Sequence, residues 1–108
     1  MNRGDVVILA DRSGDFTGKP RPAVVVRADL FKELAAVTIC PLTSVMDEAP
    51  CRVPVSASGE LPLTTSSKIA VDKITTVRGH RVGKVIGRLS AEDMQRLNGA
   101  LLVYLGIG

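Results

Sequence analysis

The apolar residues of this chain come in short bursts separated by polar punctuation. Residues 5–10 form a near-continuous apolar run that begins just after Gly4, the pattern of a buried strand. Residues 22–27, PAVVVR, are rich in β-branched side chains and predict a second strand in a sheet interior. Residues 37–42 predict a third. Pro41 inside it points to a sheet edge or a bulge, because proline has no N–H to give to a ladder. Shorter runs follow at 51–55, 68–71, 74–77 and 82–86, the last flanked by Gly79, Gly83 and Gly87. Residues 28–34 predict a short helical turn and 56–59 a chain reversal. Residues 11–20 differ in composition, with Asp, Arg, Ser, Gly, Thr, Lys and Pro. They predict a long loop, and loops of that length tend to carry function.

From Ser90 onward the period changes. Ser90 suits an N-cap, and Glu92 and Asp93 fill a first turn, with Asp93 at the capping-box position. Met94, Leu97, Leu101 and Leu105 then share one helical face, and Gly106 is a natural stop. Short strands in series closed by one amphipathic helix predict a mainly β fold. The expected form is a small SH3-like barrel or strongly bent antiparallel sheet with a C-terminal helix, one domain over residues 1–108.

Composition refines this. Aromatic residues are only 3%, so the core has to be built from Val, Leu, Ile and Ala, and a chain this small gains from pairing as a homodimer. The net charge of +3 suits an anionic partner without requiring one. No apolar stretch reaches membrane-spanning length and no signal peptide opens the chain, so a cytoplasmic protein with reduced thiols is expected. If the segment around Val45 and Met46 turned as a symmetric hairpin, Cys40 and Cys51 would face each other as a bridge requires. Two buried thiols is the reading preferred.

The residues exclude several chemistries. There is one histidine, His80, and no His or Cys pair at ligand spacing, so neither metal nor cofactor is expected. No glycine-rich phosphate loop is present, and no nucleophile elbow accompanies His80. What remains is a set of Arg, Thr, Ser and Asp residues at strand ends and beside loops. That set suits cleavage of RNA by its own 2′-hydroxyl. The enzyme takes a proton from the 2′-oxygen, stabilises a doubly charged phosphorane and protonates the leaving 5′-oxygen. Guanidinium and hydroxyl groups meet the electrostatic demand, and a base and an acid within hydrogen-bond reach meet the rest.

Five segments in order resemble one family. They are Arg3-Gly4-Asp5-Val6-Val7, residues 18–26 (GKPRPAVVV), Pro41-Leu42-Thr43-Ser44, residues 70–77 (AVDKITTV) and Ile86-Gly87-Arg88-Leu89-Ser90. Together they are similar to MazF/PemK/Kid-type mRNA interferases, over essentially the whole chain. The resemblance implies a bent SH3-like sheet in a homodimer. It implies metal-independent, sequence-selective cleavage of single-stranded RNA to a 2′,3′-cyclic phosphate and a 5′-hydroxyl, and an antitoxin whose acidic flexible tail covers the RNA groove. By the same resemblance, Arg21 contacts the scissile phosphate, Thr43 hydrogen-bonds it with Ser44 alongside, and Asp72 takes the place of the general base of the Kid branch. The arginine that serves there as general acid, two residues earlier, is replaced by Ala70, which moves the acid role elsewhere, with Arg21 the candidate.

Other residues join the expected RNA surface. Arg78, His80, Arg81, Lys84 and Arg88 are a basic cluster that reads as a solvated face or as a guide for an RNA backbone, and Lys73 joins Arg78, His80 and Arg81 among the expected RNA contacts. Phe16 is the one aromatic placed for base stacking, with Thr17 and Lys19 beside it in the loop. Taken alone, Arg21 reads as a solvated strand-start residue, Thr43 and Ser44 as turn formers, and Asp72 as a turn carboxylate. Two other functions compete. A CcdB-like gyrase poison has the same fold, but its Trp-Gly-Ile tail is here Leu105-Gly106-Ile107-Gly108 and the chain has no tryptophan. A catalytically inactive small-barrel interaction module is the other, kept open by Ala70.

Overall fold

The computed structural model of the protein describes residues 1–10, 21–45, 49–55 and 66–108. These residues form seven strands and a helix: β1 (Asp5–Leu9), β2 (Arg21–Val25), β3 (Ala36–Thr43), β4 (Arg52–Val55), β5 (Ser67–Ala70), β6 (Thr75–Arg78), β7 (Val82–Arg88) and α1 (Ala91–Leu105). Short 3-10 turns lie at Asp29–Phe31, Val71–Lys73 and Gly79–Arg81. Each expected strand is present within two residues of its expected bounds, and residues 28–34 hold the expected turn. The predicted reversal at 56–59 and the loop at 11–20 lie outside the described residues.

Every strand pair is antiparallel, in the order β4-β5-β3-β2-β1-β7, with β6 also on β3. β3 is the hub. One edge meets β2; the other is shared, Ala36 to Ile39 going to β6 and Leu42 and Thr43 to β5. Pro41 is therefore in a strand paired on both sides, not at a sheet edge. The Val26 N–H donates to the Thr38 carbonyl at 3.0 Å, so even-numbered residues of β3 face β2. Pro41 faces the other edge, at the gap where β6 has ended and β5 has not begun, and its missing N–H leaves no ladder bond unmade.

Hydrogen bonds also report how far the sheet bends. Leu9 pairs with Arg21, and continuing the Ala23–Pro41 register by two residues sets Arg21 opposite Thr43. Ala10 and Ala35 then stand nine rungs apart along the strands, on the order of 30 Å in a flat sheet. Yet the Gly79 N–H donates to the Ala35 carbonyl and the Ala10 N–H to the Arg81 carbonyl, both at 2.9 Å. A turn of three residues spans about 7 Å. Only a strongly curled sheet brings both ends of that turn to their partners, and this is the bent, unclosed, SH3-like form expected.

The two faces of the sheet bury separate sets of side chains. Val6, Val24, Val26, Cys40, Val53, Ile69 and Val71 pack with Leu97 and Leu101 of α1, while Val7, Ala23, Val25, Val37, Ile39 and Val77 pack on the other face. The core is aliphatic, as the composition requires. The Ser90 hydroxyl accepts the Asp93 N–H at 3.1 Å, capping α1, and Gly106 ends it at φ 72°. The Asp93 carboxylate itself binds Arg96 at 2.8 Å. The helix enters beside Gly4, at φ 92°, where a Cβ would come within 2.8 Å of the Met94 sulfur.

The helical stripe is buried only in part. Leu97 is fully buried, but Leu105 is 51% exposed. It joins Leu102, Ile107, Phe31 and Leu34 along an apolar groove of about 680 Å³. No helix among the described residues is long and apolar enough to cross a membrane.

Candidate RNA-cleavage site

A single cross-strand row contains the first two expected site residues. Val82 of β7 and Arg21 of β2 both pair with Leu9; the β2–β3 register, continued two residues past Ala23–Pro41, leads from Arg21 to Thr43, which pairs with Lys68, and Lys68 pairs with Pro54. Directly opposed residues on antiparallel strands carry their Cβ atoms on one face, about 5 Å apart. Arg21 opens β2 and is exposed; Thr43 closes β3 and is half-buried; Ser44 follows, exposed. The Thr43 hydroxyl oxygen accepts the Val45 N–H at 3.1 Å, which fixes the side chain and leaves its O–H to donate elsewhere. Arg21 at the start of β2 and the oriented hydroxyl of Thr43 at the end of β3 thus lie at adjoining ends of two paired strands, and a guanidinium and a hydroxyl are groups suited to the oxygens of one phosphate.

Asp72 lies apart from this row. It occupies the Val71–Lys73 turn between β5 and β6, with Val71 donating to the Cys51 carbonyl at 3.1 Å and Tyr104 of α1 donating to the Asp72 carbonyl at 3.3 Å. Its turn follows directly on β5, whose Lys68 pairs with Thr43, and precedes β6, whose Thr75 pairs with Ile39. The Asp72 carboxylate is held by Arg52, Nε to Oδ1 at 2.7 Å and Nη2 to Oδ2 at 3.1 Å. Arg52 is nearly buried and Asp72 about one-third exposed. These hydrogen bonds hold the Asp72 carboxyl below the usual carboxylate range; burial opposes them, and the charges of Arg52 and Lys73 act with them.

The whole-chain comparisons bear on this arrangement. Residues 2–105 match the family described as PemK-like, MazF-like toxins of type II toxin–antitoxin systems. The chain belongs to that family. It is 41% identical, over 99% of its length and 98% of the relative's, to a protein of Mycolicibacterium smegmatis named probable endoribonuclease MazF. It superposes with a TM-score of 0.80 and 24% identity on a mycobacterial endoribonuclease solved in complex with its cognate antitoxin, covering 100% of this chain and 97% of the other. The MazE–MazF structure from Deinococcus radiodurans gives 0.78 at 23% identity, with the same coverage.

Within this MazF-like fold the expected basic cluster divides. Arg81 is a fastener: its Nη2 donates to the Ala10 carbonyl at 3.1 Å, and its own carbonyl takes the Ala10 N–H. It therefore sits one residue beyond Leu9, at the β1 end of the row that holds Arg21. His80 is exposed on the same turn, while Arg78 faces Ala36 at the far end of β3. Lys73 is exposed beside Asp72. Phe16, Thr17 and Lys19 lie outside the described residues.

Two residues beside the expected site positions were not singled out by sequence. Arg52 reads as an ordinary strand-start residue, and only the β4–β5 register, which pairs it with Ala70, shows it beside Asp72. It brings a guanidinium across the sheet to the position where the resemblance would have placed one on Ala70. Lys68 reads as one more charge on a short strand, yet it is the direct neighbour of Thr43. Cys40 and Cys51 are free thiols, Cys40 buried and Cys51 half-buried, and β5 runs between their strands.

Proposed function

We propose that this MazF-like toxin is an endoribonuclease that cuts single-stranded mRNA by attack of a ribose 2′-hydroxyl on the adjacent phosphate. The products are a 2′,3′-cyclic phosphate and a 5′-hydroxyl. The observation that supports the reading is that Arg21 opens β2 and Thr43 closes β3 at adjoining ends of two paired strands. The guanidinium takes two non-bridging oxygens or one of each kind, and the hydroxyl donates to another. Both contacts strengthen as charge accumulates on the phosphorane, which is the condition for lowering the barrier rather than only binding substrate.

Ser44 borders the grip, and His80 and Arg81 extend positive charge along the row, where a polyanionic strand would run. Phe16, Thr17 and Lys19 are the proposed base-reading residues of the loop at 11–20, and Lys73 and Arg78 outlying phosphate contacts. Asp72 is the carboxylate proposed to take the 2′-proton. Arg52 holds that carboxylate in a two-point grip that lowers its pKa, and the Asp72 turn follows directly on β5, whose Lys68 pairs with Thr43.

The apolar groove at the end of α1, with Leu102, Leu105 and Ile107 against Phe31 and Leu34, supports a homodimer. The names of the relatives support the reaction, and the neighbours solved with their antitoxins support an antitoxin as partner. A cytoplasmic location follows from an mRNA substrate. Among the described residues no three His, Cys, Asp or Glu side chains are grouped to hold a metal ion, and the reaction is proposed to run without one.

The test is incubation of the purified protein with a long single-stranded RNA in EDTA, followed by end-group analysis. Fragments with cyclic phosphate and 5′-hydroxyl ends are expected. An absolute requirement for magnesium contradicts the mechanism. RNA left whole, with gyrase trapped on DNA instead, contradicts the function.

A further inference from the structure

Thr43 has a cation on each side. Lys68 is its register partner on β5, and Arg21 opens the strand β2 that adjoins it on the other side. On β5, Ile69 turns into the core with Leu42 and Val53, so Lys68 projects from the opposite face, the one that carries Thr43. Lys68 is half-buried, its backbone carried directly beside that of Thr43.

We propose that Lys68 is a further catalytic residue, contacting the scissile phosphate from the side opposite Arg21. The proposal rests on the reading that this chain cuts RNA at the Arg21–Thr43 row. A phosphorane carries two negative charges on its non-bridging oxygens. One planar guanidinium matches a pair of oxygens on one side; a compact ammonium with three donors can serve the other. With Thr43 between them, the row supplies two positive charges and a hydroxyl donor to a group that carries one negative charge before reaction and two during it. The 2′-proton passes to the carboxylate, the 2′-oxygen–phosphorus bond forms as the phosphorus–5′-oxygen bond breaks, and the 5′-oxygen is protonated from water.

The full-length protein tests this with Lys68→Met and Lys68→Arg, on a long single-stranded RNA in EDTA. Lys68→Met is expected to lower kcat by about 10²- to 10³-fold, the usual loss for one donor to a developing charge. On a 2′-deoxy strand that cannot be cut, the slope of log affinity against log salt is expected to flatten by about 0.7, one phosphate contact fewer. Lys68→Arg is expected to recover the rate to within about tenfold. Both variants should keep the circular dichroism and Tm of the unsubstituted protein. A wild-type rate in Lys68→Met overturns the proposal. So does a rate loss with an unchanged salt slope and no recovery in Lys68→Arg, which is the behaviour of a residue that only supports the fold. RNA left whole by the unsubstituted protein removes the ribonuclease reading itself, and Lys68's role with it.

Discussion

Arg52 of β4 closes a two-point grip on Asp72, its Nε 2.7 Å from Oδ1 and its Nη2 3.1 Å from Oδ2. The two residues are distant in sequence and meet only because β4 pairs with β5 and the Val71–Lys73 turn folds back over that pair. A planar fork on a carboxylate is the strongest common geometry for such a pair, and it favours the ionised acid.

The grip predicts a pH dependence. Asp72 ionises more readily in the folded protein than in the unfolded chain, so its contribution to stability is complete above the ordinary carboxylate value and is lost as pH falls through the lowered one. Arg52→Met should therefore cost stability at pH 7, and the gap from the unsubstituted protein should narrow below about pH 4. Urea unfolding at pH 7 and pH 3 measures it. If Asp72 is also the proton acceptor, the acid limb of the kcat/KM profile should move to higher pH in Arg52→Met. An unmoved limb alongside a changed stability would separate the structural role of Asp72 from a catalytic one.

The two cysteines should differ in reactivity. Burial pushes the Cys40 thiol up to about 11, against weak opposing help from Arg3, so almost none is thiolate at pH 8. Cys51 is half-buried at the turn into β4, with φ 62°. A thiol reagent at pH 8 should modify Cys51 first, and Cys40 only at the rate at which the core opens. Peptide mapping after a short pulse distinguishes the two, and equal labelling would contradict the burial of Cys40. Because the Cys40 pKa is raised, its contribution to stability is present at neutral pH and is lost as pH climbs toward 11.

Much of the architecture was legible because it rests on local signals. Runs of Val and Ile marked the strands, and Ser90 and Gly106 marked the ends of α1 through a side-chain cap and a left-handed stop. Pro41 was the misleading signal. A missing N–H does argue against a central strand, but β3 hands its partner from β6 to β5 at that residue, and pairing of that kind is not written in the strand's own sequence. The site divided in the same way. Arg21 and Thr43 stood out by resemblance, and the register brings them together. Lys68 and Arg52 did not stand out, since a charge on a short strand says nothing of which neighbour lies across from it. Leu105 continues the helical stripe, which reads as core or dimer packing; periodicity specifies the face but not which of the two covers it, and Leu105 is half-exposed in the groove proposed for the homodimer.

The account turns on Arg21 and Thr43 serving one phosphate. Its most direct test is a double-mutant cycle of RNA cleavage rates in EDTA with Arg21→Ala, Thr43→Val and both together, on protein shown to keep its oligomeric state. Each single substitution should cost about 10²-fold or more, and the double variant should cost clearly less than the product of the two, as expected of groups acting on the same transition state. A wild-type rate in Arg21→Ala, or fully multiplicative losses, would contradict it.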